Sequence, residues 1–403
     1  MALEDKIEDL SKRVGKAINL LIPDNWYQRS DLFLPQQTSV QIYRTSVMIN
    51  SKVYKNTSAT SLSLNTGSNW DNSSYATAAS RAGKDVYIYA CAPSGTSMEP
   101  IFKLSCNSTT PTGYTATNSR KIGGFHCLCA AVGTISGHTL TGYAQGDVLP
   151  ASIWDLRHHA VCGSEGMVFV NGVWVDIYLA GWDGTKLVSQ YGATVADGSN
   201  GASAADADGG FSGESFAEYA TYVGKSLIDR QTFMAAAEGS NQKTTVSGSA
   251  DPVTTGGHVD TNGVRMISNY GCEDCCGAYW QYTCELADSG AIWYDALNSN
   301  AVLQTADVFY TSAKQINNRI GFREESVWEQ SRSKLNTMPS AYGNASKGSG
   351  RGAAYSTLLR RRLVGADWAS GIRCGTRSIK SDDLSSRRKG SSGARLMAKH
   401  YAG

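Results

Sequence analysis

Cysteine, histidine and paired carboxylates are the residue types here that could do chemistry. The densest group is Cys272-x-x-Cys275-Cys276, with Cys284 eight residues later. A zinc site would prefer two well-separated pairs with a turn between the ligands of each. A second C-x-x-C is missing, so buried, reduced thiols are the favoured reading and no bound metal is expected. His158 and His159 are adjacent, and adjacent residues on a strand point to opposite faces. With no suitably placed acidic partner read beside them, a structural role for at least one is expected. Asp382-Asp383 is the acidic pair near the C-terminus, short of the several converging oxygens that calcium needs. No catalytic set emerges, and the chain is expected not to be an enzyme.

A second kind of pattern lies in 363–396, LVGADWASGIRCGTRSIKSDDLSSRRKGSSGARL. Gly365, Trp368, Gly371, Cys374, Gly375, Arg377, Gly393 and Arg395 read as a frame that fixes turns and anchors one large side chain. The residues between them follow neither a helical nor an alternating period. They are Asp367, Ala369, Ser370, Ile372, Arg373, Thr376, Ser378, Lys380, Asp382, Ser385 and Arg387. That division between scaffold and contact positions is the one antibody paratopes use.

The elements that must position these residues differ along the chain. Leu3, Ile7, Leu10, Val14, Ala17 and Leu21 form a heptad seam, so 2–22 is expected to be a helix, either packed on its own domain or starting a parallel coiled coil. Residues 23–148 read as β-rich, with strands expected around Val40–Ile42 and Val47–Ile49 and over 85–92, 102–106 and 125–132. Val168 and Val170, Asn171-Gly172, then Val173, Val175, Ile177 and Leu179 predict a hairpin with the preferred two-residue turn. Residues 181–214 read as a long surface loop. Two helices follow, one over about 215–223 stopping at Gly224, the other capped by Asp229, burying Phe233 and Ala236, and stopping at Gly239. A Gly/Ser-rich loop over 343–353 leads into a strand over 358–365.

The W-x-x-G-x-x-C-G-x-R frame of 368–377 with its closing Gly393-Ala394-Arg395 resembles the variable region of diversity-generating-retroelement target proteins. GKSLIDRQTFMAAAEG (224–239) is similar to a signature of formylglycine-generating-enzyme-like domains, although Ile228 replaces the proline and the acidic-Trp pair is lost. The segment 249–283, with a G-x-x-D-x-x-G-x-x-W-Q core, looks like part of phage tail tropism proteins. Those families share elaborated C-type-lectin folds. The resemblance covers about 146–403 and implies a C-type-lectin-like domain (149–403) with its variable region at about 359–396; with the N-terminal helix (1–22) and the β-rich attachment or assembly domain (23–148) read from the pattern, the chain is expected to be α+β. It implies that Trp280 and Gln281 support the lectin core. It also implies a tail-fibre receptor-binding protein or adhesin, located in the virion and made in the host cytoplasm. Its partners would be a host protein or glycan receptor and, through the N-terminal region, other tail proteins. The heptads and the gain from multivalency favour a homotrimer. The formylglycine-generating oxidases bind copper through paired cysteines. The corresponding positions, two and seven residues beyond Trp368, hold Ser370 and Gly375, so copper chemistry and a cofactor are not expected.

Composition narrows the alternatives. Gly at 42 and Pro at 8 suit a loop-rich β protein. No apolar run approaches a bilayer span, no secretion signal is read, and membrane insertion is not expected. Between Leu359 and Lys399, eleven Lys or Arg against three Asp leave +8 in a chain whose net charge is +2. Without a nucleic-acid motif, a solvated polar binding face is favoured over nucleic-acid binding. A structural decoration or collar protein whose basic tail meets other subunits stays open.

Overall fold

The computed structural model describes residues 32–199, 210–287, 290–295, 351–356, 360–381 and 385–401. The helix expected over 2–22 and Asp382 lie outside the described residues.

The first half is built from short antiparallel pairings. Phe33–Gln36, Ser39–Ile42 and Thr60–Ser63 form one sheet, and Ser46–Ile49 with Lys52–Lys55 a separate hairpin. Asp85–Cys91 is the centre of a third sheet, between Ile101–Ser105 and Ser119–His126, which is extended by Trp154–Asp155. Alternation brings Val40, Ile42, Val47 and Ile49 inside, where they join Phe33, Leu62, Ile88, Leu104 and Phe125 in one core. Arg81 is buried, with Nε donating to the Gly146 carbonyl at 2.7 Å and Nη1 to that of Ala76 at 2.8 Å.

The strand expected over 125–132 is corrected. It runs Ser119–His126, and the apolar residues after it stay buried as loop, with Leu128 N donating to Asp147 O and Val132 N to Tyr143 O. Buried apolar character fixed their depth, not their backbone partners. Leu128, Cys129, Val132, Leu140 and Leu149 pack in one cluster with Val168, Val175, Ile177, Phe233 and Ile267.

In the second half the hairpin Met167–Val170/Val173–Asp176 forms as expected, with Asn171 at φ 47° and Gly172 at φ 95° meeting the turn's demand for two positive φ angles. Its second strand pairs with Leu396–Lys399, which in turn pairs with Ser226–Leu227. Start and finish of this half thus share one four-stranded sheet. A six-stranded sheet lies in the order Gly290–Asp295, Arg351–Ser356, Gly375–Ser381, Arg360–Gly365, Trp280–Ala287, Ser392–Ala394. The loop expected over 343–353 already is strand from Arg351.

The surface loop expected over 181–214 is also corrected for the described residues 181–199 and 210–214. Gly181–Trp182, Leu187–Val188 and Thr194–Val195 form a small sheet, and Leu187, Val195, Ala196 and Phe211 are buried. Two-residue strands carry no alternation for a sequence pattern to reveal. Both helices form. Gly213–Tyr222 is capped by a reciprocal Ser212/Ser215 box and ends before Gly224 at φ 69°. Arg230–Ala236 is capped by Asp229, whose carboxylate accepts from Thr232 N at 2.7 Å. No helix among the described residues is long and apolar enough to cross a membrane.

Candidate display face and its floor

The framed segment leaves the six-stranded sheet at Gly365 and re-enters it at Gly375. Gly365 is buried at φ 88°, and a Cβ there would stand 2.4 Å from the Cys275 carbonyl oxygen. Ala366 follows at φ 69°. Gly277 N donates to the carbonyls of Gly365 and Ala366, each at 3.1 Å. The chain then rises into a tight turn. Ser370 Oγ donates to Asp367 Oδ1 at 2.6 Å, Ser370 N to Asp367 O and Arg373 N to Ser370 O, and Gly371–Arg373 makes one short 3₁₀ turn. Trp368 anchors the turn, its ring edge-on to Tyr279 at 5.5 Å beside Val195 and Met266.

Along this tip Ala369, Gly371, Ile372 and Arg373 are exposed, Ile372 by 63%. Asp367, Ser370, Thr376, Arg377 and Lys380 are half-buried, and Arg387 is exposed on a separate segment. Lys380 Nζ stands 5.9 Å from the Trp280 ring centroid.

Two expected contact positions are corrected. Ser378 is fully buried and its Oγ donates to Arg373 O at 2.5 Å, so it props the tip from within. Ser385 is buried and its Oγ donates to Glu214 Oε1 at 2.7 Å, beside the start of helix Gly213–Tyr222. The reason for the first is the register. Ile379 faces Val364 but Gly375 faces Gly365, so 376–378 bulge out of the ladder and lose strand parity. Gly371, expected beneath the face, is on it. A Cβ there would meet nothing within 4 Å, and its φ of 53° is what calls for glycine.

Beneath the face lies a fully buried cation. Arg395 Nη1 donates to Asp176 O and Ile177 O, each at 2.7 Å, Nη2 to Glu273 O, and Nε to Gln281 Oε1 at 3.1 Å. Burial works against its charge, but Cys275, Cys272, Asp274 and Asp176 outweigh it and raise its pKa. Gln281, also buried, donates from Nε2 to Cys275 O at 2.8 Å and so joins Arg395 to the turn under Gly365. Trp280 is half-buried. Gly375 and Gly393 are buried in the sheet.

One neighbour of the face escaped the pattern reading. Gln242 Oε1 accepts from Thr376 N at 3.3 Å, Lys243 N donates to Cys374 O, and Asn241 Nδ2 bonds Thr244 O, Cys276 O and the Cys374 sulfur. Its only signal was a polar stretch just past a helix stop.

The titratable groups first singled out are mostly structural. Cys272, Cys275, Cys276 and Cys374 are buried free thiols and Cys284 is exposed. Cys374, solitary in the sequence, packs in the same buried cluster as Cys276, and its Sγ donates to Gly365 O at 3.6 Å. Among the described residues no group of three or more His, Cys, Asp or Glu is placed to hold a metal. His158 is buried against Phe169, Trp174 and His400, and burial, then the neighbouring His400, push it down to about 4. His159 stacks on Tyr401 with ring centroids 4.5 Å apart.

A β-rich N-terminal half joined to a C-type-lectin-like domain, with a framed tip loop over a buried Arg–Gln floor, is an arrangement similar to that of phage tropism determinants. Residues 35–155 match the family model of the Mtd second domain. The tail fiber receptor-binding protein of Bordetella phage BPP-1 is 35% identical over 237 residues, 53% of this chain and 58% of that protein. The matched part is thus under two thirds of that relative's length. Among solved structures, the Major Tropism Determinant M1 variant superposes with TM-score 0.60 at 25% identity, covering 92% of this chain and 83% of that one. The I1 variant does so with TM-score 0.61 at 23% identity, covering 95% and 89%.

Proposed function

We propose that the protein is a receptor-binding component of a phage tail fibre, carried in the virion after synthesis in the host cytoplasm, and that it recognises a host-surface protein or glycan through the tip loop. The observation that carries this reading is the division of labour in 365–377. Ala369, Ile372 and Arg373 point to solvent from a turn pinned by the Asp367–Ser370 bond, the Trp368 anchor and the Ser378 prop. Side chains at the tip can change without disturbing the floor, which is what a face selected for different ligands requires. The Bordetella phage relative is a tail fiber receptor-binding protein, which supports the same reading.

In this reading Asp367, Ser370, Thr376, Lys380 and Arg387 line the margin of the face, and Asp382 is the remaining contact position. The domain limits are 1–22, 23–148 and 149–403. The N-terminal region holds the protein to other tail components as a homotrimer, and no reaction is catalysed. The test replaces Ala369, Ser370, Ile372 and Arg373 together with residues of a natural variant of the same frame and measures adsorption of the assembled particle. Altered host range with normal particle yield supports receptor binding. Unchanged adsorption with defective assembly favours a decoration or collar role instead.

A further inference from the structure

The turn that follows the helix stop at Gly239 lies against the display face and is held from both sides. Asn241 Nδ2 donates to Thr244 O at 2.8 Å and to Cys276 O at 3.1 Å. Thr244 Oγ1 donates to the buried Asp260 at 2.6 Å, Thr261 N to Thr245 O at 2.9 Å and Val246 N to Gly277 O at 3.0 Å. At the apex Lys243 N donates to Cys374 O at 2.9 Å and Gln242 Oε1 accepts from Thr376 N at 3.3 Å. The turn is thereby fastened to the chain where it leaves the tip and re-enters the sheet. Lys243 itself is exposed and stands at φ 59°. That left-handed backbone suits glycine or asparagine, and an exposed lysine recovers little of the strain by packing. Residues held so by surroundings that over-determine them gather at ligand sites.

We infer that Lys243 is a fixed, specificity-determining contact of the display face, where with Arg373 it binds the carboxylate or sulfate groups of an acidic host-surface polysaccharide. The inference rests on the receptor-binding reading and names its ligand class. Arg373, the exposed cation of the tip turn, is the residue before Cys374, so the two cations flank one backbone junction. The carboxylates on these segments are engaged: Asp367 accepts from Ser370 Oγ, and Asp260 from Thr244 Oγ1, Asn262 N and Val264 N. A lysine offers a compact point charge and an arginine a planar fork of donors, and both match oxyanions. Gln242, Ser370 and Thr376, all half-buried, add amide and hydroxyl groups of the kind that bond sugar hydroxyls. The turn 369–373 exposes one large apolar side chain, Ile372, whereas protein interfaces centre on clusters of aromatic and aliphatic anchors. Lys243 lies outside the framed segment, so its charge stays when tip side chains are exchanged.

The test passes the full chain over immobilised polygalacturonate, dextran sulfate, neutral dextran and poly-glutamate at graded salt. Retention is expected on the two acidic polysaccharides, falling as salt rises, and not on dextran. Lys243→Gly, which suits the backbone, is expected to weaken that binding about tenfold while the midpoint of thermal unfolding holds or rises. Lys243→Gln, which keeps the strain and removes only the charge, shows the same loss, and Lys243→Arg restores binding. Lys186→Ala, which removes an exposed charge from the turn at 183–186, leaves binding unchanged. No retention of the native chain on either acidic polysaccharide overturns the inference, as does equal weakening by the Lys243 and Lys186 variants. Retention on poly-glutamate as strong as on the polysaccharides also overturns it, by assigning the site to an acidic protein surface. Full polysaccharide binding by Lys243→Gln defeats this inference alone, whereas unchanged host range on exchange of the tip residues defeats the receptor reading beneath it.

Discussion

Gly365 and Gly371 belong to the same frame, yet the structure asks different things of them. At Gly365 both the backbone (φ 88°) and the space are forbidding, since a Cβ would stand 2.4 Å from a carbonyl oxygen. Gly365→Ala is expected to cost about 3 kcal/mol or more, from backbone strain and overpacking together. Gly371→Ala meets open space at φ 53° and is expected to cost only about 1–2 kcal/mol. Urea unfolding of the two variants checks the ratio; equal losses would mean that the floor gives way under Gly365. His158 carries a pH signature. Its folded pKa near 4 lies below the ordinary histidine value of about 6.5, so the unfolded chain binds the proton more readily. This contribution is complete above about pH 6.5 and fades as pH falls toward 4, by on the order of 3 kcal/mol in all. His158→Phe, which keeps an aromatic ring against Phe169 and Trp174, is expected to flatten the stability profile over pH 4–6.5. An unchanged acid slope would assign it to other groups.

Among the elements, those with local punctuation were readable and those without it were not. Asn171-Gly172 set the hairpin register, and Asp229 with Gly239 bounded a helix, because turn and cap chemistry is decided within a few residues. Asp229→Ala is expected to cost about 1 kcal/mol by freeing the Thr232 N–H, measured as a lower midpoint of thermal unfolding. A loss as large as that of Gly365→Ala would give Asp229 more than a capping role. The bulge at 376–378 had no such punctuation. Its inward turn of Ser378 depends on how far Gly375–Ser381 slides against Arg360–Gly365, a partner brought alongside only by the fold. The same holds for Ser385, whose partner Glu214 is 171 residues away in sequence.

For the molecule as a whole, the two halves meet through apolar packing and several polar bridges. Leu149 packs in the cluster that includes Val168, Val175 and Ile177. His126 Nδ1 pairs with Asp85 at 2.8 Å and its Nε2 with Tyr178 OH at 2.9 Å, joining the first half's sheet to the second half. Leu149→Ala is expected to destabilise the protein by about 2–5 kcal/mol. Because the cluster is shared, tryptophan fluorescence and far-ultraviolet circular dichroism should shift together in one transition. Two separated transitions in the parent chain would show that the halves unfold independently.

The order of residues by itself determined the local pieces: the Asn-Gly turn, the cap at Asp229, the apolar strands of the first half, and the glycine, tryptophan and arginine frame near the C-terminus. Each is governed by interactions within a few positions, and the pattern therefore survives in one dimension. Only the tertiary structure decided which positions of the frame face outward, that Cys374 packs in one cluster with Cys276, and that Arg395 lies beneath Gly365 by way of Gln281 and Cys275. Those facts come from contacts between segments far apart in the chain, whose approach is set by burial of the shared core rather than by any local spacing.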